Sequence, residues 1–282
     1  MIAQCLRLVR IALYLGLTAP LMPVQGIAVL LDLKLARTLP RWYHRWSCRV
    51  LGIRPTIDGK PVEASPALYV ANHTSYLDIE ILGAALEASF ISRADVANWP
   101  WFGWLAKLQR TIFIHRNRGA AMAHRNAIVA RFDKGDRLIL FPEGTSSDGN
   151  HVLPFKSSLF SVAEYRKGGV PVPVQPVAVA YTRLDGMPLG RGFRPFFAWY
   201  GEMDLAPHLW ILLGLGVLSV ELTFFPPVTI DQFASRKALA QHCYRVIGDG
   251  VSASLSGRRH AAPGAAKARH RNPRVREPVR VS

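Results

Sequence analysis

One stretch, Ala71-Asn72-His73-Thr74-Ser75-Tyr76-Leu77-Asp78, constrains this chain more than any other. The apolar run Ala67-Leu68-Tyr69-Val70-Ala71 leads into it and reads as a buried strand. The pattern Ile79–Leu86 leads away from it as a helix. On a single ideal helix, residues this far apart point about 140° from each other. His73 and Asp78 meet if His73 sits in the turn and Asp78 in the first helical turn. Asp78 then holds one imidazole nitrogen while the other faces a substrate hydroxyl. That is a base with its orienting carboxylate, the nucleophile being supplied by the substrate. A histidine in a turn is more often simply hydrogen-bonded, so the weight falls on the stretches downstream.

The surrounding texture alternates short apolar runs with helical patterns. Strands are expected at Arg54–Ile57, Ala67–Ala71, Ser89–Ser92, Thr111–Ile114, Arg137–Phe141, Val172–Tyr181 and Ser219–Phe225. Helices are expected at Ile79–Leu86, Trp99–Leu108, Ala120–Phe132, Ser157–Tyr165 and Gln232–Ile247. That alternation predicts an α/β fold, a mixed β-sheet flanked by helices. Pro176 interrupts Val172–Tyr181 and places it near an edge or a bulge.

Ahead of the sheet, Ile11–Leu31 contains no charged residue and is long enough to consider as a membrane span. Pro20, Pro23, Gln25 and Gly26 interrupt it, which fits a kinked span or two short helices dipping into one leaflet. No small-x-small cleavage site follows, so a signal peptide fits less well. Pro40–Leu51 reads as a helix with Thr38 as its cap. It aligns Arg41, Arg45 and Arg49 on one face. Such a ridge is usually solvated; beside Ile11–Leu31 it is read as facing lipid headgroups.

The formal net charge is +16. Between Ser256 and Ser282, eight basic residues face Glu277 alone. This Arg-, Ala- and Pro-rich tail is expected to be disordered. The remainder is still basic, which suggests anionic partners. The expected division is 1–38 membrane-associating, 39–255 catalytic and 256–282 basic tail. Cys5, Cys48 and Cys243 are scattered, lack metal-ligand spacing and fit a reducing compartment.

Three further stretches have the look of sites. Phe113-Ile114-His115-Arg116 delivers an arginine at a strand end, where its planar fork suits an anion. Leu138–Phe141 stops at Pro142 and delivers Glu143-Gly144-Thr145 at its carboxyl end, where open α/β sheets place ligands. Gly144 permits close backbone approach, and Thr145 offers a hydroxyl and an amide. The last stretch is Val172-Pro173-Val174-Gln175-Pro176.

In this order, these stretches closely resemble the motif blocks of the glycerolipid acyltransferase family, whose best-known members acylate lysophosphatidic acid. His73 with Asp78 matches its His-x4-Asp block, and Phe141–Thr145 its Pro-Glu-Gly-Thr block. The resemblance implies His73 as general base and Asp78 as its orienter, with Arg116, Glu143, Gly144 and Thr145 binding the acceptor. It also implies an N-terminal membrane-embedded helix pair. Lysophosphatidate enzymes usually carry arginine where Ser146 stands, so a phosphate site would lose a cation unless Arg110 or Lys156 replaces it. Leu108–Thr111, Glu143–Gly149 and Ala198–Leu205 look like the bacterial branch that acylates lyso-ornithine lipid.

The expected reaction is acyl transfer from a thioester of acyl carrier protein or coenzyme A to a lysolipid hydroxyl. The acceptor read first is 1-acylglycerol-3-phosphate, giving phosphatidic acid; lyso-ornithine lipid, or both, is the alternative. A thioester is already activated, so no acyl-enzyme, cofactor or metal is required, and there is no Gly-x-Ser-x-Gly elbow. The amides of the helix that follows His73 are candidates to meet the developing oxyanion. The expected location is the cytoplasmic face of the inner membrane, against an anionic surface. A basic membrane- or nucleic-acid-binding protein is the rival class, but no nucleic-acid fold signature is present and no nucleic-acid partner is expected.

Overall fold

The computed structural model describes residues 2–114 and 121–258. Two helices come first, α1 (Ile2–Leu30) and α2 (Leu35–Leu51). There follow β1 (Ile53–Asp58), β2 (Ala67–Ala71), α3 (Leu77–Ala85), β3 (Ser89–Arg93), α4 (Phe102–Leu108), β4 (Ile112–Ile114), α5 (Ala121–Asp133) and β5 (Arg137–Leu140). Beyond a 3₁₀ segment at Ser157–Glu164 come the hairpin β6 (Arg166–Lys167) and β7 (Val170–Pro171), then β8 (Val174–Leu184) and β9 (Met187–Pro188). The chain closes with α6 (Leu205–Leu213), β10 (Leu218–Phe224) and α7 (Arg236–Leu255).

The main sheet has the order β1-β10-β8-β2-β5-β3-β4, with β9 paired to β8. Strands β8, β2, β5, β3 and β4 are parallel; β10 is antiparallel to β8, and β1 is parallel to β10. Both faces are covered. Tyr69 and Ala71 of β2 join a core with Ile81, Leu82 and Leu212, while Leu68 and Val70 join Phe132, Phe160 and Ile247 on the other side. This explains why β2 reads as an unbroken apolar run: a parallel strand packed on both faces has no polar side to show.

Pro176 lies inside the sheet rather than at an edge. Its ring sits opposite Val70 of β2, and its carbonyl accepts from the Phe225 amide at 3.0 Å. Along a strand, a residue's amide and carbonyl face the same neighbour, so the missing donor faces the place where the chain leaves β10 through Pro226-Pro227. No ladder bond is forfeited in mid-sheet.

Of the two N-terminal alternatives, a single helix is the one that forms. There is one continuous apolar helix through Pro20 and Pro23, not two short ones, and its helical partner is α2. The body holds α1 along its inward side. Arg10 is buried and donates to the carbonyls of Leu213, Leu215 and Gly216 at the end of α6. Thr18 meets the Tyr43 hydroxyl at 3.0 Å, and Gln25 donates to the carbonyls of Ala36 and Leu108. These anchors flank the prolines and keep the axis continuous.

Helix α2 begins before Thr38, which is therefore not a cap, and carries Pro40 internally. Pro40 cannot donate to Ala36, one turn back. The Gln25 side chain takes that carbonyl instead, at 3.1 Å. The arginine ridge is partly spent on the protein. Arg41 pairs with Glu87, Arg45 donates to the Ala84 carbonyl, and Arg49 lies over Trp46. The segment read as a helix from Ser157 is 3₁₀, and α7 starts about one turn later than expected, capped by Ser235, and runs about two turns further, to Leu255. The tail beyond Arg258 lies outside the described residues.

Candidate active site

Strand register builds the site. Val70 of β2 is level with Leu140 of β5, so His73 and Glu143, equally far past them, emerge side by side at the carboxyl end of the sheet. The His73 amide donates to Glu143 Oε1 at 2.7 Å. Asn72, just before, is pinned to Val179 of β8 through both its amide atoms. The turn carrying His73 is thus tied to both neighbouring strands.

His73 Nδ1 lies 2.8 Å from Asp78 Oδ2. Asp78 is fully buried, and that oxygen also accepts from the amides of Thr74 and Ser75 at 2.7 and 3.0 Å. Its other oxygen accepts from the Tyr181 hydroxyl at 2.6 Å. Four donors compensate a buried carboxylate, at about 1.5–3 kcal/mol for each bond to a charged group. An acceptor-only Asp78 places the proton on Nδ1 and leaves the lone pair on Nε2. Burial, then the adjacent Asp78, raises the Tyr181 phenol well above its ordinary range, so it stays a donor. The amides of Thr74 and Ser75, which precede α3, are thus taken by Asp78.

The His73 ring stacks on Phe141, with centroids 4.2 Å apart, and Phe141 stacks in turn on Phe90. His73 lies on the wall of a cavity of about 740 Å³, together with Thr145 and Ser146. The rest of that wall is largely apolar and includes Tyr14, Met22, Tyr43, Trp101 and Leu209. Deeper polar groups bond among themselves: His44 meets Glu80 at 2.7 Å and Gln109 at 3.1 Å.

The structure brings together some of the candidate residues and separates others. Gly144, at φ +69°, turns the chain beside His73, and a Cβ there would stand 2.5 Å from Lys156 Nζ. Lys156 therefore reaches this turn. Glu143 is buried, and its second oxygen accepts from the Leu153 amide at 2.8 Å. Each oxygen accepts from a backbone amide, so Glu143 fastens the loop to the His73 turn. Arg110 is not at the site: its guanidinium holds Asp136 at 2.8 Å, by the amino end of β5. Arg116 lies outside the described residues.

Several contacts escaped the sequence reading. The Ser147 amide donates to the His73 carbonyl, the Trp199 amide donates to the Thr74 carbonyl, and Ser146 Oγ donates to the Trp199 carbonyl. Tyr181 carried a signal, because a tyrosine within a buried apolar run needs a partner for its hydroxyl. Nothing in the sequence said that the partner was Asp78.

A family model described as Acyltransferase matches residues 54–180. A lyso-ornithine lipid O-acyltransferase of Brucella abortus is 42% identical over 88% of this chain and 94% of its own length. The chain belongs to the acyltransferase family. A lyso-ornithine lipid O-acyltransferase of Rhizobium meliloti is also 42% identical, covering 84% of this chain and 82% of that protein. A 1-acyl-sn-glycerol-3-phosphate acyltransferase of Neisseria gonorrhoeae is 27% identical over 68% of this chain and 74% of its own. Among solved structures, the 1-acyl-sn-glycerophosphate acyltransferase of Thermotoga maritima superposes with a TM-score of 0.58 at 20% identity, covering 92% of this chain and all of that one. That likeness bears on the fold: a sheet flanked by helices, preceded by an apolar helix.

Proposed function

We propose that this chain transfers a fatty acyl group from a thioester to the free hydroxyl of a lysolipid at a membrane surface. The observation that carries the reading is the His73–Asp78 pair on the wall of a large apolar chamber. The acceptor oxygen attacks the thioester carbonyl as His73 Nε2 takes its proton. Collapse of the adduct expels the thiolate, and the imidazolium, steadied by Asp78, returns the proton to it. The donor is a thioester of acyl carrier protein or coenzyme A, and no cofactor takes part. Purified protein given one acyl donor and a panel of lysolipids tests the reading. Acylation of a hydroxyl-bearing lysolipid supports it, and release of free fatty acid alone overturns it.

The first acceptor is 1-acylglycerol-3-phosphate, as the sequence reading has it. A specific observation favours lyso-ornithine lipid as a second. With Arg110 committed to Asp136 and a serine at 146, Lys156 is the candidate cation that the described residues bring beside Gly144. A phosphate monoester, carrying nearly two charges, gains from more than one charge-assisted partner. A zwitterionic headgroup with one carboxylate needs fewer, and the relatives named for lyso-ornithine lipid share more identity with this chain. Ser146→Arg is expected to raise the lysophosphatidate to lyso-ornithine ratio of kcat/KM by about tenfold, the worth of roughly one such bond. An unchanged ratio would remove Ser146 from acceptor choice.

Membrane attachment falls to the outer side of α1. Leu8, Val9, Leu13, Val24, Ile27 and Leu30 are exposed there, while the opposite side stays fastened to the body by Arg10, Thr18 and Gln25. A helix held in this way lies along the surface with its apolar side among acyl chains. Residues 1–38 are on this reading the membrane-associating part. Deleting residues 1–39 is expected to abolish sedimentation with vesicles, and turnover with it, because Tyr14 and Met22 line the chamber. Vesicle binding retained by the truncated protein would reduce α1 to a packing helix.

A further inference from the structure

A second cavity, about 180 Å³ and polar, lies at the opposite end of the sheet from His73, beside the amino end of β5. Its wall carries Arg37 and Arg41 of α2, Arg110, Lys134 and Arg137. The acids on that wall, among the described residues, are Asp136 and Glu87. Asp136 is already shared: Arg110 reaches it at 2.8 Å, Arg37 at 3.4 Å, and Arg131 contacts it from behind. Arg41 reaches Glu87 at 3.3 Å, yet its Nε is buried without an acceptor among the described residues. Arg137 donates to the carbonyls of Glu63 and Ala64, which neutralise no charge. Burial first, and then the adjacent Arg131, push the Arg110 guanidinium below its ordinary range, against the pull of Asp136. An anion placed here meets a surplus of donors in fixed positions.

The neighbourhood says where that anion comes from. The turn between α1 and α2 exposes Leu30, Leu31, Leu33 and Leu35. Helix α2 packs back along α1 and so lies along the same surface. With these leucines in the hydrocarbon, the exposed Arg37, two residues beyond Leu35 and on the wall of the cavity, carries its guanidinium to the headgroup layer. We propose that this cavity holds the phosphate of an anionic bilayer lipid, at a site separate from the catalytic end of the sheet. The bound lipid fixes the start of α2 against β5 and so sets how the body sits on the membrane.

The test compares two pairs of substitutions that remove equal charge from the same region. One is Arg37→Gln with Lys134→Gln; the other, Arg45→Gln with Arg49→Gln, lies further along α2 and off the cavity. Arg37 and Lys134 are exposed and Asp136 keeps Arg110 and Arg131, so the first pair leaves the fold intact. Turnover of a detergent-dispersed acceptor, within twofold of the parent in both, confirms this. Sedimentation is measured with phosphatidylcholine vesicles with and without phosphatidylglycerol. Diffuse attraction costs each lost cation about fivefold, whatever its position. The cavity pair is expected to lose at least about tenfold more affinity for the anionic vesicles than the other pair, and no more for the neutral ones. Equal losses overturn the proposal. So does stabilisation of the parent by inorganic phosphate, absent from the cavity pair, with no excess loss on vesicles, since the site is then one for the free anion. The readout is binding, so it stands or falls apart from the acyl-transfer reading.

Discussion

Purified His73→Ala protein is expected to fold and bind vesicles like the parent while losing acyl transfer by about 10²–10⁴-fold, the contribution of a positioned base. The ring makes a stack on Phe141 and one side-chain hydrogen bond, so its removal leaves the two cores untouched. Asp78→Asn is expected to lose nearly as much turnover and little stability. The asparagine oxygen can take the place of Oδ2 and keep the amides of Thr74 and Ser75, while its NH₂ faces a Tyr181 hydroxyl that can turn to accept. What vanishes is the negative charge that steadies the imidazolium. The double variant is expected to be little worse than either single one, because members of a catalytic unit are not additive. Full turnover by His73→Ala would end the mechanism.

The parts of this site that were legible in the sequence were those set by local spacing. A strand run into a turn placed His73, and the first helical turn placed Asp78 within reach of it. The β5 run ending at Pro142 placed Glu143-Gly144-Thr145 at the carboxyl edge. Long-range partners were not legible. Tyr181 comes from a strand 103 residues away, and Arg110 was read as a spare cation because Asp136 carries no motif. The prolines misled for the same reason. Pro40 looked like a helix start because the substitute donor on Ala36 is a glutamine in another helix. Pro176 looked like an edge residue because the sequence does not show where its partner strand ends. In each case a tertiary contact replaced a bond that local reasoning counted as lost.

The second large effect is expected at Glu143, whose two oxygens accept from the amides of His73 and Leu153. Glutamine keeps one acceptor oxygen for the amides of His73 and Leu153 and turns an NH₂ toward the other. A buried donor left facing a donor costs about 1–3 kcal/mol. If the His73 turn shifts to relieve it, kcat should fall about 10–100-fold, because a misplaced base loses its alignment. The KM for the acceptor should move little. Stability carries a separate signature. Burial pushes the Glu143 carboxyl up to about 8, against the pull of its two amide donors and with a further push from Asp78. Its folded value is raised, so the fold favours the protonated form. The stability gained is full below about pH 4, the unfolded range, and is lost as the pH rises through about 8. Between those limits the parent's melting temperature is expected to drift down relative to that of Glu143→Gln, which has no proton to lose. A variant with normal kcat and a raised KM would return Glu143 to the acceptor site that the family resemblance implies. A parent and variant with parallel melting curves across that range would show that the carboxylate is ionised throughout.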